Sequence, residues 1–309
     1  KPFVCVGIRA LAVDDEEMNL VVAKGVLGSY GIEVDTCLSG REAIALCDST
    51  SYDIIFLDHM MPGFDGVETL KRIRKLNDGM YQDLPIIALT ANTVSGAREM
   101  FRSEGFTEFV PKPIERTVLE RVLRKALPKS CIRYSLRPVG KNAPTPDAAP
   151  PPAKKFPEPP TAMEASEPLE EAPLPQDGAG ALLCGQLTKA GINAEMGLDY
   201  CAGDEDFYRE MLRMFCGQRA GKQAEIASLY ESANWTDYAV KVHALKSTSL
   251  TIGAEALSAQ AKELELAGKR GDADFIQAHH AALLQAYEEL CARIAEIRAL
   301  GLSPEQTIV

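Results

Sequence analysis

Short apolar segments that end in a charged or hydroxyl residue recur through the first part of the chain. The clearest segment runs from Ile54 to Leu57, leads straight into Asp58, and is followed by the turn pair Pro62-Gly63. A continuous apolar run of this length is typical of a strand buried on both faces, as in a parallel sheet. Three further segments share the pattern, at residues 9–13, 85–89 and 109–111. The pattern therefore predicts an open α/β fold with a parallel sheet.

The residues at the ends of these segments carry groups that are suited to chemistry. Asp14 and Asp15 follow the first segment, Asp58 ends the second, Thr90 follows the third and Lys112 follows the fourth. Open α/β sheets bind their ligands at the carboxyl ends of the strands. In one parallel sheet, three acids, a hydroxyl and an ammonium group would therefore converge on a single rim.

Three carboxylates at one rim repel one another, and a divalent cation with oxygen ligands would relieve that repulsion. We therefore predict a Mg²⁺ site, beside which Asp58 can attack phosphorus and form an acyl phosphate. Lys112 would offset charge on the phosphoryl oxygens, and Thr90 would donate a hydrogen bond to one of them. Taken singly, Asp58 is typical of a turn and Asp14-Asp15 of a helix N-cap. Their common position at successive strand ends favours the site.

The middle of the chain changes composition sharply. Twelve of the nineteen prolines fall between Pro138 and Pro175, interleaved with Ala, Glu and Lys. Such a segment cannot bury enough apolar surface to fold, and we expect an extended, disordered linker. The predicted organisation is one domain at residues 1–127, a linker at 128–180, a second domain at 181–300 and a tail at 301–309.

The second domain has a helical pattern. Apolar residues recur at helical spacing, as at Phe207, Met211 and Phe215, and short turns separate the periodic stretches. These features predict an all-α bundle of four or more antiparallel helices. One helix places His243 on the same face as Lys246, three positions later, and we expect this face to point outward. An exposed imidazole of this kind can act as a nucleophile towards phosphorus.

The first domain closely resembles the receiver domain of two-component response regulators. Four motifs carry the resemblance: V-D-D-E-E-M-N-L at residues 13–20, F-L-D-H-M-M-P-G-F-D-G at 56–66, A-L-T-A at 88–91 and V-P-K-P-I at 110–114. The resemblance implies a flavodoxin-like, doubly wound α/β fold with a five-stranded parallel sheet and five helices. It also implies that Asp58 is the phosphoacceptor.

The same resemblance implies roles for the residues around Asp58. Asp14 and Asp15 correspond to the acidic pair that binds Mg²⁺ together with Asp58, and the main-chain carbonyl of Met60 corresponds to a further metal ligand. Thr90 corresponds to the switch hydroxyl and Lys112 to the lysine that contacts the phosphoryl group.

The second domain resembles histidine-containing phosphotransfer (HPt) domains. Their motif is H-x-L-K-G with a further glycine ten residues after the histidine, and this chain has H-A-L-K-S at residues 243–247 with Gly253 at the later position. Ser247 replaces the usual glycine of the motif. The resemblance implies that His243 accepts and donates a phosphoryl group, and Lys246 would favour the negative charge that arrives beside it.

Composition and charge exclude several other classes of protein. The net charge is −11 and no region is basic, which argues against binding of nucleic acid. The eight cysteines form no C-x-x-C pair, as expected for a reduced, cytoplasmic protein.

No apolar run reaches the about 18 residues that a membrane helix needs, so we expect no membrane contact by this segment. Because the chain begins at Lys1, we also expect a fragment or processed product, with any membrane anchor upstream.

An aspartyl and a histidyl phosphoacceptor in one chain predict a phosphorelay. The expected partners are an upstream histidine kinase, which passes a phosphoryl group to Asp58, and a downstream response-regulator receiver, which takes it from His243. This order resembles the C-terminal part of a hybrid sensor histidine kinase. The chain has no recognisable ATP-binding features, so phosphotransfer activity is expected and autokinase activity would reside elsewhere.

Three alternatives remain open from the sequence. The chain could be a stand-alone response regulator with the bundle as its output domain. The bundle could be a binding module or a phosphate sink. Finally, Asp58 and Asp14 could serve a metal-dependent phosphatase, which would turn over small phosphoesters steadily instead of being loaded once.

Overall fold

The structure is a computed structural model that describes residues 2–79, 81–91, 97–134 and 178–297. Most of the predicted linker and the whole predicted tail at residues 301–309 lie outside the described residues. Within the described ranges, no helix combines the length and the apolar character that are needed to cross a membrane.

The first domain is built on a five-stranded sheet in which all neighbouring strands are parallel. The strands are β2 (Arg9–Val13), β3 (Glu33–Cys37), β4 (Ile54–Asp58), β5 (Ile86–Thr90) and β6 (Glu108–Pro111). Their spatial order is β3-β2-β4-β5-β6. The order reverses beside β2, as expected for a doubly wound sheet.

Helices cover both faces of this sheet. They are α1 (Glu17–Gly28), α2 (Gly40–Ser49), α3 (Gly66–Ile73), α4 (Ala97–Glu104) and α5 (Arg116–Ala126). Alternate residues of one strand serve opposite faces, because side chains in a strand point alternately to either side. On β4, Ile54 and Phe56 pack in one apolar cluster with residues of α1 and α5, while Ile55 and Leu57 pack in a second with residues of α2, α3 and α4. The predicted α/β class and parallel sheet are confirmed.

A small second sheet was not predicted. Strands β1 (Phe3–Cys5) and β7 (Ile132–Tyr134) pair antiparallel, with Phe3 opposite Tyr134 and Cys5 opposite Ile132. A 3₁₀ turn at Lys129–Cys131 precedes β7. The ring of Phe3 packs on Tyr30, with the ring centroids 5.3 Å apart. Residues 129–134 therefore have regular structure, although the sequence assigned them to a linker starting at residue 128.

The second domain consists of helices among its described residues. The helices are α6 (Gly178–Lys189), α7 (Ala194–Tyr200), α8 (Glu205–Gly217), α9 (Arg219–Glu231), α10 (Trp235–Thr251), α11 (Glu255–Arg270) and α12 (Ala273–Ala295). Four of them begin at a side chain that accepts a backbone N–H bond: Asn193, Asp204, Asn234 and Asp272. Helix α6 begins three residues before the predicted domain start at residue 181. The predicted all-α domain is confirmed.

Gly253 makes the turn between α10 and α11 possible. Its φ of +82° lies in the left-handed region that favours glycine. A Cβ atom at this position would lie 2.1 Å from the carbonyl oxygen of Asn193, which is a clash with backbone. The turn therefore needs glycine for two independent reasons, and it sets α11 alongside the helix that carries His243.

The two domains are in contact. Buried apolar residues on the α1 side of the sheet and those of the helical domain form one continuous cluster. Phe207 of α8 reaches Gly25 of α1, where a Cβ atom would lie 2.7 Å from the ring atom Cζ. The helical domain therefore packs on helix α1 of the α/β domain.

We predict that Gly66→Ala destabilises the α/β domain by about 1–3 kcal/mol, the usual cost of forcing extra atoms into a packed site. A Cβ atom at Gly66 would lie 2.4 Å from the carbonyl oxygen of Asp58, so α3 and the end of β4 must move apart. Urea unfolding followed by far-ultraviolet circular dichroism measures the change. Gly28→Ala is the matched control, because its Cβ meets nothing within 4 Å. Equal stability of the two variants would contradict the prediction.

Candidate functional site

The carboxyl ends of the central strands bring the predicted residues of the first domain together. Asp14 follows β2, Asp58 ends β4, Thr90 ends β5 and Lys112 follows β6. The Nζ atom of Lys112 lies 2.7 Å from Oδ2 of Asp14 and 2.8 Å from Oδ2 of Asp58. All three side chains are at most 5% exposed. One buried ammonium group thus joins two acids from different strands.

Charge balance keeps Lys112 protonated. Burial alone would lower the pKa of its ammonium group, but Asp14 and Asp58 outweigh burial and the net pKa is raised. For Asp58, burial outweighs the neighbouring positive charge. Burial is the largest influence and raises the pKa of Asp58 to about 7; Lys112 opposes this rise and Asp14 adds to it. The carboxyl group of Asp58 therefore depends on a nearby positive charge to remain ionised at neutral pH.

The remaining oxygen atoms of these two acids accept hydrogen bonds from residues that follow them in the chain. Oδ1 of Asp14 accepts hydrogen bonds from the backbone N–H of Glu16 and from Nδ2 of Asn19, both at 3.0 Å. Oδ1 of Asp58 accepts a bond from the backbone N–H of Met60 at 3.1 Å. These bonds fix the orientation of both carboxylates and place the backbone of Met60 beside Asp58.

Asp15 completes an acidic cluster. One carboxylate oxygen from each of Asp14, Asp15 and Asp58 lies within 4.8 Å of the others. Burial, together with the neighbouring Asp14, raises the pKa of Asp15 to about 6. Clustered, partly desolvated oxygen ligands suit a hard divalent cation such as Mg²⁺. The residues present therefore fit the predicted ion.

Thr90 lies at the same rim. It is 4% exposed, and its carbonyl oxygen accepts a bond from the backbone N–H of Lys112 at 2.7 Å. This bond ties the end of β5 to the residue that carries the buried ammonium group. The structure thus brings Thr90 to the place where the sequence predicted a hydroxyl.

The second candidate nucleophile, His243, has a partner that the sequence did not reveal. Its Nδ1 atom lies 2.8 Å from Oε1 of Glu265 on α11. Glu265 also accepts bonds from Lys246 and Lys269, each at 2.5 Å, and its side chain is 4% exposed. One signal in the sequence could have found this partner. Glu265 lies between Leu264 and Ala267, which are both buried, and a buried charge needs a partner.

Glu265 determines which nitrogen of His243 carries the proton. Burial would raise the pKa of Glu265, but His243 and Lys246 outweigh burial, so the net pKa is lowered and the carboxylate stays ionised. An ionised carboxylate can only accept, so Nδ1 must carry the hydrogen. The pKa of His243 is lowered, chiefly by burial. The ring therefore stays neutral at pH values at which an ordinary histidine would begin to take up a proton. Nε2 is therefore left with its lone pair, the form needed for attack on phosphorus.

The prediction that His243 points outward is wrong for this structure. The residue is 4% exposed, and Nε2 has no hydrogen-bond partner among the residues that the structure describes. Thr251, on the same helix, lines a small cavity together with Asp14 and Lys112, so the rim of the first domain lies against this helix. The helix face that carries His243 is covered because the other domain packs over it.

Family comparisons agree with this geometry. Residues 10–124 match the model of the response regulator receiver domain, and residues 210–298 match the model of the Hpt domain. The chain carries a receiver domain followed by an Hpt domain. Asp58 and its rim lie within the matched receiver, and His243, Lys246 and Glu265 all lie within the matched Hpt domain.

Several relatives of this chain are histidine kinases. Hybrid signal transduction histidine kinase L of Dictyostelium discoideum is 35% identical over 123 residues, which are 38% of this chain and 7% of that protein. The kinase BarA of Escherichia coli is 31% identical over 125 residues, 40% of this chain and 13% of BarA. The chain therefore spans a small part of the length of these relatives.

Among solved structures, the receiver domain of sensor histidine kinase PA1611 from Pseudomonas aeruginosa PAO1 is 33% identical. The match covers 39% of this chain and 98% of that one, with a TM-score of 0.35. That crystal structure holds a magnesium ion in its active site cleft.

We predict that Glu265→Ala slows phosphoryl acceptance by His243 about 10- to 100-fold, as is typical when a residue that orients a functional histidine is removed. Glu265→Gln should retain more activity, because its amide oxygen can still accept the Nδ1–H bond. The measurement is the rate at which label appears on histidine after Asp58 is loaded. Glu263→Ala, which removes an exposed glutamate of the same helix, is the matched control. A rate for Glu265→Ala equal to that control would contradict the assigned role.

Proposed function

We propose that this chain relays a phosphoryl group between two proteins through its own two acceptors. Asp58 accepts the group from an upstream histidine kinase, and His243 then takes it and delivers it to a downstream receiver. The observation that carries the proposal is the state of the two nucleophiles. The carboxylate of Asp58 is held beside Lys112, and Nε2 of His243 is left neutral and unprotonated by Glu265.

In the first step, an oxygen of Asp58 attacks phosphorus and the bond from phosphorus to the kinase histidine breaks. Asp14, Asp15, Asp58 and the carbonyl of Met60 would hold Mg²⁺, which neutralises charge on the phosphoryl group when bound. Lys112 lies 2.8 Å from Asp58 and stabilises the phosphoryl oxygens as they approach. Thr90 supplies a hydroxyl from the neighbouring strand end.

In the second step, the lone pair of Nε2 on His243 attacks the phosphorus of the acyl phosphate. The bond between phosphorus and the Asp58 oxygen breaks, and its electron pair returns to the carboxylate. Glu265 keeps the proton on Nδ1 and stabilises the positive charge that develops on the ring. Lys246 lies beside the imidazole and favours the arriving phosphoryl oxygens. Both phosphorylated forms are energy-rich, so the transfer runs in either direction.

We further propose that the chain is the C-terminal part of a hybrid histidine kinase and that this part lies in the cytoplasm. The relatives named above support this parentage, although they are much longer than the matched stretch. The autokinase would then lie elsewhere in the same polypeptide or in a separate protein.

We propose a receiver domain that extends to Tyr134, an Hpt domain that begins at Gly178, and a linker between them.

Two substitutions test the order of transfer. We predict that Asp58→Asn takes no label from acetyl phosphate, because the nucleophilic carboxylate is absent. His243→Gln should still load Asp58 but pass nothing on. The stability of the label to base and to acid identifies the labelled residue, since an acyl phosphate is labile to base and phosphohistidine is labile to acid. Label that persists on the double variant would contradict the proposal.

Removal of metal tests the acidic cluster. We predict that a chelator abolishes loading of Asp58 by acetyl phosphate. Asp15→Asn should reduce loading at limiting Mg²⁺ at least about 10-fold, because one charged ligand of a hard cation is lost. The measurement is acyl phosphate formed across a Mg²⁺ titration. Asp48→Asn removes an exposed carboxylate on α2 and is the matched control. Loading that is independent of Mg²⁺ would contradict the assignment.

A further inference from the structure

An ion pair joins the two domains beside the acidic cluster. Nζ of Lys222 on α9 lies 2.7 Å from Oε1 of Glu16, the residue that precedes α1. The two side chains are only 15% and 11% exposed. On the adjacent turn, Nε2 of Gln218 donates to Oε2 of Glu17 at 3.4 Å. A partly buried ion pair is screened less by solvent than an exposed one, so this contact can discriminate between partners.

The fit along α1 is close. Gly25 is on the outer face of α1, where a side chain would be tolerated in a lone receiver domain. Here the ring of Phe207 approaches so closely that a Cβ atom at Gly25 would lie 2.7 Å from it. The absence of a side chain at Gly25 therefore admits the aromatic ring of the Hpt domain.

A third contact joins the two reactive centres. Lys269 donates to Glu265, the partner of His243, and its Nζ also lies 3.6 Å from Sδ of Met60, two residues after Asp58. Thr251 of the Hpt domain lines a small cavity together with Asp14 and Lys112. The covered face of the Hpt domain is therefore the face that carries His243, and the covering surface is the rim around Asp58.

Overall charge does not explain this association. Residues 1–128 contain 15 basic and 19 acidic residues, and residues 181–309 contain 12 basic and 18 acidic residues. Two domains of the same net sign repel one another at long range, so local complementarity must select the contact. The ion pair of Lys222 with Glu16 supplies this local complementarity.

We propose that the Hpt domain is the resident docking partner of the receiver in its own chain, that the Lys222–Glu16 pair selects this partner, and that transfer from Asp58 to His243 occurs within one chain. This proposal rests on the relay proposed above. Tethered domains meet at an effective concentration on the order of millimolar, so the resident domain outcompetes most free partners. An external kinase or receiver reaches the two acceptors when this contact opens.

The first test is the effect of dilution. The full chain is loaded with labelled acetyl phosphate, and the rate at which label reaches histidine is measured over a 100-fold range of chain concentration. Transfer within one chain gives a first-order rate that does not change. A mixture of Asp58→Asn and His243→Gln chains is the control, since its transfer can only occur between chains and must slow on dilution. A wild-type rate that falls in proportion to concentration would overturn the proposal.

The second test is a charge swap. Lys222→Glu should slow transfer within the chain at least about 10-fold, and Glu16→Lys combined with Lys222→Glu should restore most of the rate. Lys189→Glu makes the same charge change at an exposed site on α6 and should have no effect. Loading of Asp58 is measured separately in each variant, because Glu16 adjoins the acidic pair. A Lys222→Glu rate equal to wild type, or a slowing that the swap does not reverse, would overturn the assignment of this pair.

A third measurement separates docking from chemistry. Diethyl pyrocarbonate modifies accessible neutral imidazoles, and His279 provides an internal exposed reference. In the wild-type chain His243 should react much more slowly than His279, and Lys222→Glu should increase the reactivity of His243 alone. This result would support docking even if no label ever reached His243, an outcome that would refute only the relay. Equal reactivity of the two histidines in the wild-type chain would overturn the docked arrangement.

Discussion

The receiver site depends on one ammonium group buried between two carboxylates. Without Lys112, Asp14 and Asp58 would be like charges in a desolvated rim, and burial raises the pKa of Asp58. Breaking a buried ion pair by removing one partner typically costs about 3–5 kcal/mol. The bonds from Lys112 at 2.7 and 2.8 Å therefore do two things: they hold three strand ends together, and they oppose the rise in the pKa of Asp58 that burial causes.

The Hpt site uses the same principle with the signs reversed. There a buried carboxylate, Glu265, lies between an imidazole and two ammonium groups, from Lys246 and Lys269. Its charge fixes the tautomer of His243, and Lys112 likewise favours the ionised form of Asp58. Each candidate acceptor thus has a counter-charge from another element. In the proposed relay, the phosphoryl group passes between these two nucleophiles.

The parts of the structure that could be predicted follow from local pattern. The run from Ile54 to Leu57 reads as a buried strand because it is apolar on both faces, and the carboxyl ends of parallel strands share one edge. Asp58 and Lys112 could therefore be placed together although 53 residues separate them in the chain. The strands β1 and β7 could not be predicted. Their pairing joins the two ends of the domain, and three residues are too few to show an alternation of apolar and polar positions.

Other features depend on tertiary contacts that no local pattern encodes. Glu265 lies 22 residues after His243, and only the turn at Gly253 brings the two helices together. The burial of His243 arises from the α/β domain, which packs over α10, so a helical wheel of α10 alone places the ring outside. The docking contact of Lys222 with Glu16 was also hidden, since both domains carry net negative charge.

Phosphorus nuclear magnetic resonance of the intact chain shows whether His243 is phosphorylated through Asp58. With acetyl phosphate and Mg²⁺, we expect an acyl phosphate signal followed by a phosphoramidate signal. The phosphoramidate should vanish in the Asp58→Asn chain, because His243 receives its phosphoryl group only through that carboxylate. A phosphoramidate signal of undiminished size in the Asp58→Asn chain, or a phosphoester signal in the wild type, would contradict this expectation.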